Sequence, residues 1–277
     1  MGTVEENRHH WETYDWSGGG EEWSEVWGGS VSQWKGAILP RIRPYLPGGT
    51  VLEIACGAGR WSVQLRRYAR RLILVDLSAT AIAACRAKFA GDAEVRCFQN
   101  DGRNLSMVRD GSVDFAFSFD SLVHCELPEL TVYLRELAAK LSVDGVGFIH
   151  HSNFAAVLAA VPGSKNLHWR AESVSAEAFV AACDAEGLVC IAQEIVDWGG
   201  VDRCDCFSVF TRPGSRRARG LVRAENPHFM AEALSLKLRG SLLPAEPPSG
   251  EYRAGAESRL RRVARSLRSR FGGGEDD

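Results

Sequence analysis

Short apolar runs alternate with longer amphipathic stretches through the middle of this chain. Residues 50–55, 71–75, 94–99, 112–119 and 145–150 are apolar runs of strand length. Between them, residues 60–68, 78–90 and 128–141 read as helices. In the second of these, Ala81, Ile82, Cys85 and Phe89 fall on one face, and Ser78 is placed as its N-cap. Pro128 opens the third, where a missing N–H costs nothing. A further helix is predicted over 175–186, ended by Gly187. The apolar runs 188–196 and 206–211 then pair naturally as a closing hairpin. Strands alternating with helices demand a mainly parallel sheet, with ligands at the C-terminal ends of its strands.

The flanks differ in kind. Residues 1–45 hold Trp11, Trp16, Trp23, Trp27 and Trp34 among glycines. Linkers do not carry five indoles, so this segment predicts a Trp-rich N-terminal cap of short helices and loops, including a helix over 33–43. The α/β domain is read as 46–212, and 213–277 as a flexible Arg-rich extension with a possible helix at 227–239. Within it, Leu260, Val263, Ala264, Leu267 and Phe271 form an apolar stripe over 257–271, with six arginines around it. Such a helix suits peripheral contact with an anionic membrane face.

Composition narrows the class. The 277 residues are 45% hydrophobic and 25% charged, as in ordinary soluble domains, and the net charge of −2 gives no footprint of a nucleic-acid binder. No apolar run approaches membrane-spanning length, and the N-terminus lacks the apolar core of a secretory signal, so the reading is cytoplasmic. Eight cysteines lie mostly within apolar runs and read as reduced core residues. Cys204-Asp-Cys206 is too tight and isolated for a zinc site, and no metal-ligand set is predicted.

The chemistry gathers where the first two strands end. Glu53-Ile-Ala-Cys-Gly-Ala-Gly59 follows the first strand, and Asp76 ends the second. Gly57 and Gly59 let backbone approach a ligand, while Asp76 is placed to accept hydrogen bonds from two ribose hydroxyls. A diphosphate turn would want a third glycine where Ser62 stands, and the acidic Glu53 suits a cationic ligand better.

On these residues, with Asp101-Gly102 after strand three and Phe117-Ser-Phe-Asp120 after strand four, residues 50–212 resemble the class I S-adenosylmethionine-dependent methyltransferases. The resemblance implies a Rossmann-like, doubly wound sheet of seven strands with one reversed edge strand. It implies S-adenosyl-L-methionine as cofactor, held by Glu53, Cys56, Gly57, Gly59, Asp76, Leu77, Asp101, Gly102 and Phe119. More narrowly, Trp23-Ser-Glu-Val-Trp-Gly-Gly29, Phe119-Asp-Ser-Leu-Val-His124, Gly147-Phe-Ile-His-His-Ser-Asn153, His168-Trp-Arg170 and Trp198-Gly-Gly200 look like a bacterial group found with glycan- and sugar-modifying genes. That implies O-methylation of a sugar hydroxyl on a glycan, glycolipid or glycosylated metabolite. The competing readings are a small-molecule N- or O-methyltransferase with a non-sugar acceptor, and a non-catalytic cofactor-binding scaffold. An Asn/Asp-Pro-Pro-Tyr/Phe turn, the mark of nucleic-acid methylation, is absent after strand four.

A hydroxyl acceptor needs a base, since its own pKa lies far above neutrality. The candidates are Asp120, His124, His150 and His151. His150 and His151 end strand five, where alternation lets one of the two face the site. Trp23 and Trp27 are expected to line the pocket.

Overall fold

The structure is a computed structural model that describes residues 3–46 and 49–240. The chain opens with α1 (Val4–Thr13), whose Thr3 and Glu6 form a reciprocal capping box. Two 3-10 turns follow, Trp16–Gly18 and Glu21–Trp27. A helical run then passes through α2 (Ser30–Gln33), one π turn (Trp34–Ile38) and α3 (Leu39–Ile42).

The alternation read from the sequence then appears in order. It runs β1 (Thr50–Ile54), α4 (Ser62–Arg66), β2 (Arg71–Asp76), α5 (Ala79–Lys88), β3 (Val95–Gln99), β4 (Val113–Ser118), α6 (Leu127–Lys140) and β5 (Leu141–Ser152). After β5 come α7 (Phe154–Ala160), α8 (Ala176–Ala185), β6 (Val189–Trp198), β7 (Val201–Thr211), β8 (Val222–Asn226) and α9 (Phe229–Gly240).

The strands form one sheet in the order β3-β2-β1-β4-β5-β7-β6-β8. β1 is buried along its whole length because it lies between parallel neighbours and under helices. Alternation divides its side chains between two cores. Val51 faces Trp34, Phe117, Phe148 and Phe207 on one side, and Leu52 faces Leu134, Phe179 and Phe210 on the other.

Two expectations are corrected. Among the described residues the sheet has eight strands, not seven, and the reversed strand is not at an edge. β7 runs antiparallel between β5 and β6, and β8 closes the sheet parallel to β6. β8 falls inside the segment read as extension because Val222-Arg-Ala-Glu-Asn226 is short and mostly polar, with only Val222 and Ala224 apolar. It is a short, charged, largely exposed edge strand. α9 is joined to the core by Phe229 and Ala233, both buried, with Phe229 packed on Trp27 at 4.9 Å between rings. β7 also begins five residues earlier than its apolar run. Gly199 and Gly200, at φ 56° and 85°, make a two-residue hairpin turn that pairs Trp198 with Val201.

Among the described residues no helix is long and apolar enough to cross a membrane. The helix predicted over 257–271 lies outside the described residues.

Candidate active site

The strand ends β1, β2 and β4 meet around one cavity of about 390 Å³. Its floor is the turn after β1. Gly57 has φ +53°, and a Cβ there would fall 2.9 Å from the ring of Trp16. The Gly57 N–H donates to Asp76 Oδ2 and the Ser78 N–H to Asp76 Oδ1, each at 2.8 Å. The carboxylate is therefore fixed in orientation, and its remaining lone pairs can accept two further donors. Burial pushes the Asp76 carboxyl up to about 6, against the pull of its backbone hydrogen bonds. Over Gly102, at φ +84°, sits Val4 of α1, which a Cβ would meet at 2.9 Å.

Glu53 lies beneath this turn. It is buried away from the cavity wall and accepts a hydrogen bond from Ser62 Oγ at 2.5 Å. Burial pushes its carboxyl up to about 8, while Ser62 pulls the other way. The linkage has a definite sign. Between the unfolded value of 4.5 and 8 the folded state holds the extra proton, so stability falls as pH rises. The Glu53→Gln variant is expected to remove that slope. From pH 6.5 to 8 the wild type should lose on the order of 1 kcal/mol per pH unit more than the variant. Urea unfolding of both proteins across that window checks this. Parallel curves would show that Glu53 is already ionised in the fold.

On the far side of β1 the chain turns sharply at Asp120, which has φ +57°. Its Oδ2 meets Arg60 Nη2 at 3.3 Å, and its Oδ1 lies 3.9 Å from Arg170 Nη2. Arg60 is sandwiched by indoles, 4.4 Å from the Trp61 ring centre and 5.4 Å from that of Trp23. Arg170 holds Asp205 through two parallel bonds, Nε to Oδ1 at 2.8 Å and Nη2 to Oδ2 at 2.7 Å. Asp205 is wholly buried, which by itself would raise its carboxyl. Arg170 and His150 outweigh that and hold it well below the usual range.

The three histidines separate. His124 Nδ1 donates to the Trp169 carbonyl at 2.9 Å, which leaves Nε2 as a bare lone pair on a residue that lines the cavity. Burial, then Arg170, pushes it down to about 4, so it is neutral at physiological pH. His150 is on the site side of the sheet but fully buried behind the wall. Its Nδ1 accepts the Asp120 N–H at 3.1 Å, and its Nε2 donates to Asp205 Oδ2 at 2.9 Å. Both nitrogens are committed, so the structure removes it from the base candidates. His151 points to the other face, stacked on Phe179 at 4.2 Å and bonded to Ser208 Oγ at 2.8 Å. Burial pushes it down to about 3. It too is corrected from a candidate base to a core residue.

Of the residues expected at the cofactor, Cys56, Gly57, Asp76, Leu77, Gly102 and Phe119 line the cavity, as do Asp120 and His124. Glu53, Gly59 and Asp101 do not. Gly59, at φ +82°, instead gives room to Cys85, whose sulfur would lie 3.2 Å from a Cβ. Asp101 shapes its loop by accepting the N–H groups of Arg103 and Asn104. Trp23 lines the cavity with Trp11 and Trp16, but Trp27 is wholly buried against Phe229 and Trp198. Arg60, Arg170 and Asp205 were missed. Arg60 adjoins the glycine turn in sequence and was within reach. Asp205 is 35 residues from Arg170 and 55 from His150, and only folding joins them.

Residues 51–145 match the methyltransferase domain model, so the chain carries a methyltransferase domain across β1 to the start of β5. No curated protein matches the sequence. Among solved structures, the fold is similar to a magnesium protoporphyrin IX methyltransferase from Synechocystis PCC 6803, crystallised with bound SAH. The TM-score is 0.54 at 14% identity, over 76% of this chain and 100% of that one. It is similar to an S-adenosylmethionine-dependent methyltransferase from Mesorhizobium loti, with a TM-score of 0.53 at 16% identity, over 65% and 98%. A protein from Pyrococcus horikoshii OT3 aligns with a TM-score of 0.52 at 21% identity, over 66% and 90%. At these identities the likeness is one of fold.

Proposed function

We propose that this chain, an S-adenosylmethionine-dependent methyltransferase, moves the methyl group to a sugar hydroxyl of a glycan, glycolipid or glycosylated metabolite. The observation that carries the reading is His124. Its Nε2 has no hydrogen-bond partner among the described residues, and its residue shares the cavity wall with Asp120, Arg60 and Arg170. A neutral imidazole beside a charged hydrogen-bonding cluster suits a hydroxyl that must lose its proton as it attacks. The surrounding indoles of Trp23, Trp169 and Trp198 suit the apolar face of a sugar ring, whose hydroxyls would turn to Asp120 and the guanidiniums.

The cavity residues fit the cofactor. Asp76 keeps lone pairs for two ribose hydroxyls, and the absent Cβ of Gly57 lets the Trp16 ring close on the turn as part of the cavity wall. When bound, the cofactor supplies a sulfonium methyl carbon as the electrophile. The residues do the rest. Asp76 and Asp120 follow strands two places apart in the sheet, roughly 10 Å at the usual strand spacing. The ribose end and the acceptor end are thus held on opposite sides of β1, and attack is confined to one line. His124 Nε2 takes the hydroxyl proton while its Nδ1–H stays on the Trp169 carbonyl. Positive charge lost at the donor reappears on the imidazole, so the cavity as a whole gains none.

The test is incubation with labelled S-adenosylmethionine and a panel of sugars, nucleotide sugars, lipid extracts, phenols and amines. Label is expected on a sugar hydroxyl. Label on phenols or amines with every sugar unlabelled would replace this reading by a non-sugar acceptor.

A further inference from the structure

Asp205 touches neither the cavity nor the proposed base, yet it is the most heavily bonded carboxylate near the site. One oxygen takes Arg170 Nε at 2.8 Å. The other takes Arg170 Nη2 at 2.7 Å and His150 Nε2 at 2.9 Å. Asp205 and His150 are both fully buried. Because the carboxylate can only accept, His150 must carry its proton on Nε2. Its Nδ1 is then a lone pair, and that lone pair receives the Asp120 N–H at 3.1 Å.

The Asp120 backbone is in the left-handed region, at φ +57°, which aspartate tolerates but does not prefer. It turns the carboxylate back between Arg60, at 3.3 Å, and Arg170, at 3.9 Å. The second of those arginines is itself held by Asp205. One buried carboxylate therefore sets both sides of the pair: the guanidinium directly, and the carboxylate through an imidazole of fixed tautomer.

We propose that Asp205 and His150 are positioning residues that hold Asp120 and Arg170 in the geometry that binds the acceptor. The proposal rests on the reading of Asp120 as an acceptor-binding group. The charges show why Asp205 must be ionised. Arg60 and Arg170 are balanced by Asp120 and Asp205, with His150 neutral. Removing the charge on Asp205 leaves Asp120 as the one carboxylate, among the described residues, within salt-bridge distance of both buried guanidiniums. Arg170 then turns onto Asp120 and occupies the oxygens that the acceptor needs.

Two substitutions divide the relay. In His150→Asn the side-chain oxygen stands near the old Nδ1 and still accepts the Asp120 N–H. In His150→Gln the amide nitrogen stands near the old Nε2 and still donates to Asp205, but the Asp120 N–H is orphaned. Asp205→Asn removes the charge. Each protein is assayed with whichever panel compound is methylated, sugar or not, so that a wrong acceptor class shows in the panel and a wrong relay shows in the variants. For His150→Gln, kcat/KM for the acceptor should fall by about tenfold to a hundredfold, mainly through KM. Asp205→Asn should fall at least as far, and His150→Asn should recover most of the loss. S-adenosylmethionine affinity by calorimetry should stay within about twofold throughout. Acceptor-free NMR should show His150 protonated on Nε2 alone. In the same samples, slow exchange of the Asp120 amide should be lost in His150→Gln. If Asp205→Asn does not fold, the His150 pair and the NMR still decide. Wild-type acceptor kinetics in His150→Gln, equal losses in the two His150 variants, or a His150 ring protonated on Nδ1 would each overturn the proposal.

Discussion

Replacing His124 by alanine or glutamine is expected to lower turnover by about 10²- to 10⁴-fold while leaving cofactor affinity nearly unchanged. The split follows from placement. The imidazole lies after β4, beside Asp120 and across β1 from Asp76, so its loss removes proton acceptance and touches no proposed ribose contact. The pH dependence gives a second handle. Burial holds His124 down at about 4, so it is in its basic form above roughly pH 5. Its limb of the rate profile should fall as pH drops through 4 and be flat from 6 to 8. Single-turnover rates of wild type and variants, taken with calorimetric cofactor affinities, separate the outcomes. Normal turnover in both variants would leave His124 as a support for the Trp169 loop and return the base role to Asp120.

Asp76→Ala should weaken S-adenosylmethionine binding by about a hundredfold or more, since two charge-assisted hydrogen bonds are worth on the order of 3 kcal/mol. The wild type also carries a pH signature. Its carboxyl sits at about 6 in the folded protein, and only the ionised form accepts both ribose hydroxyls. Protonation competes with binding, so affinity should be level at pH 7 to 8. Below 6 it should fall by up to tenfold per pH unit. Asp76→Asn should lose this dependence along with most of the affinity. Calorimetry with wild-type affinity in Asp76→Ala would place the ribose elsewhere.

The parts of the site that were legible in the sequence share a cause. Cys56, Gly57, Asp76, Gly102 and Asp120 stand where an apolar run ends, and strand ends in a parallel sheet mark the ligand edge whatever packs around them. The histidines show the limit. Alternation correctly allowed one of His150 and His151 to face the site side of the sheet. It could not say that this one spends both nitrogens on Asp120 and Asp205. The tryptophans behave likewise. Trp23 and Trp27 lie one helical turn apart and look alike in sequence, but Trp23 meets Arg60 at the cavity and Trp27 meets Phe229 in the core.

The sequence by itself determined the α/β alternation, the glycine turn and the acid that follows it, because those depend on periodicity and backbone freedom over a few residues. It also told that the runs 188–196 and 206–211 pair as a hairpin, since both are apolar and of strand length; the Gly199-Gly200 turn between them came from the structure. Only the tertiary structure decided the rest. The eighth strand exists because β6 offers an open edge to a polar segment that would not extend alone. The reversed strand lies inside the sheet because β8 and β6 cover its far side. The arrangement of Arg60, Asp120, Arg170, His150 and Asp205 depends on five chain segments meeting at the cavity wall, where little water reaches. There each charge must find a partner, and which partner it finds is set by the packing of the whole sheet rather than by any local pattern.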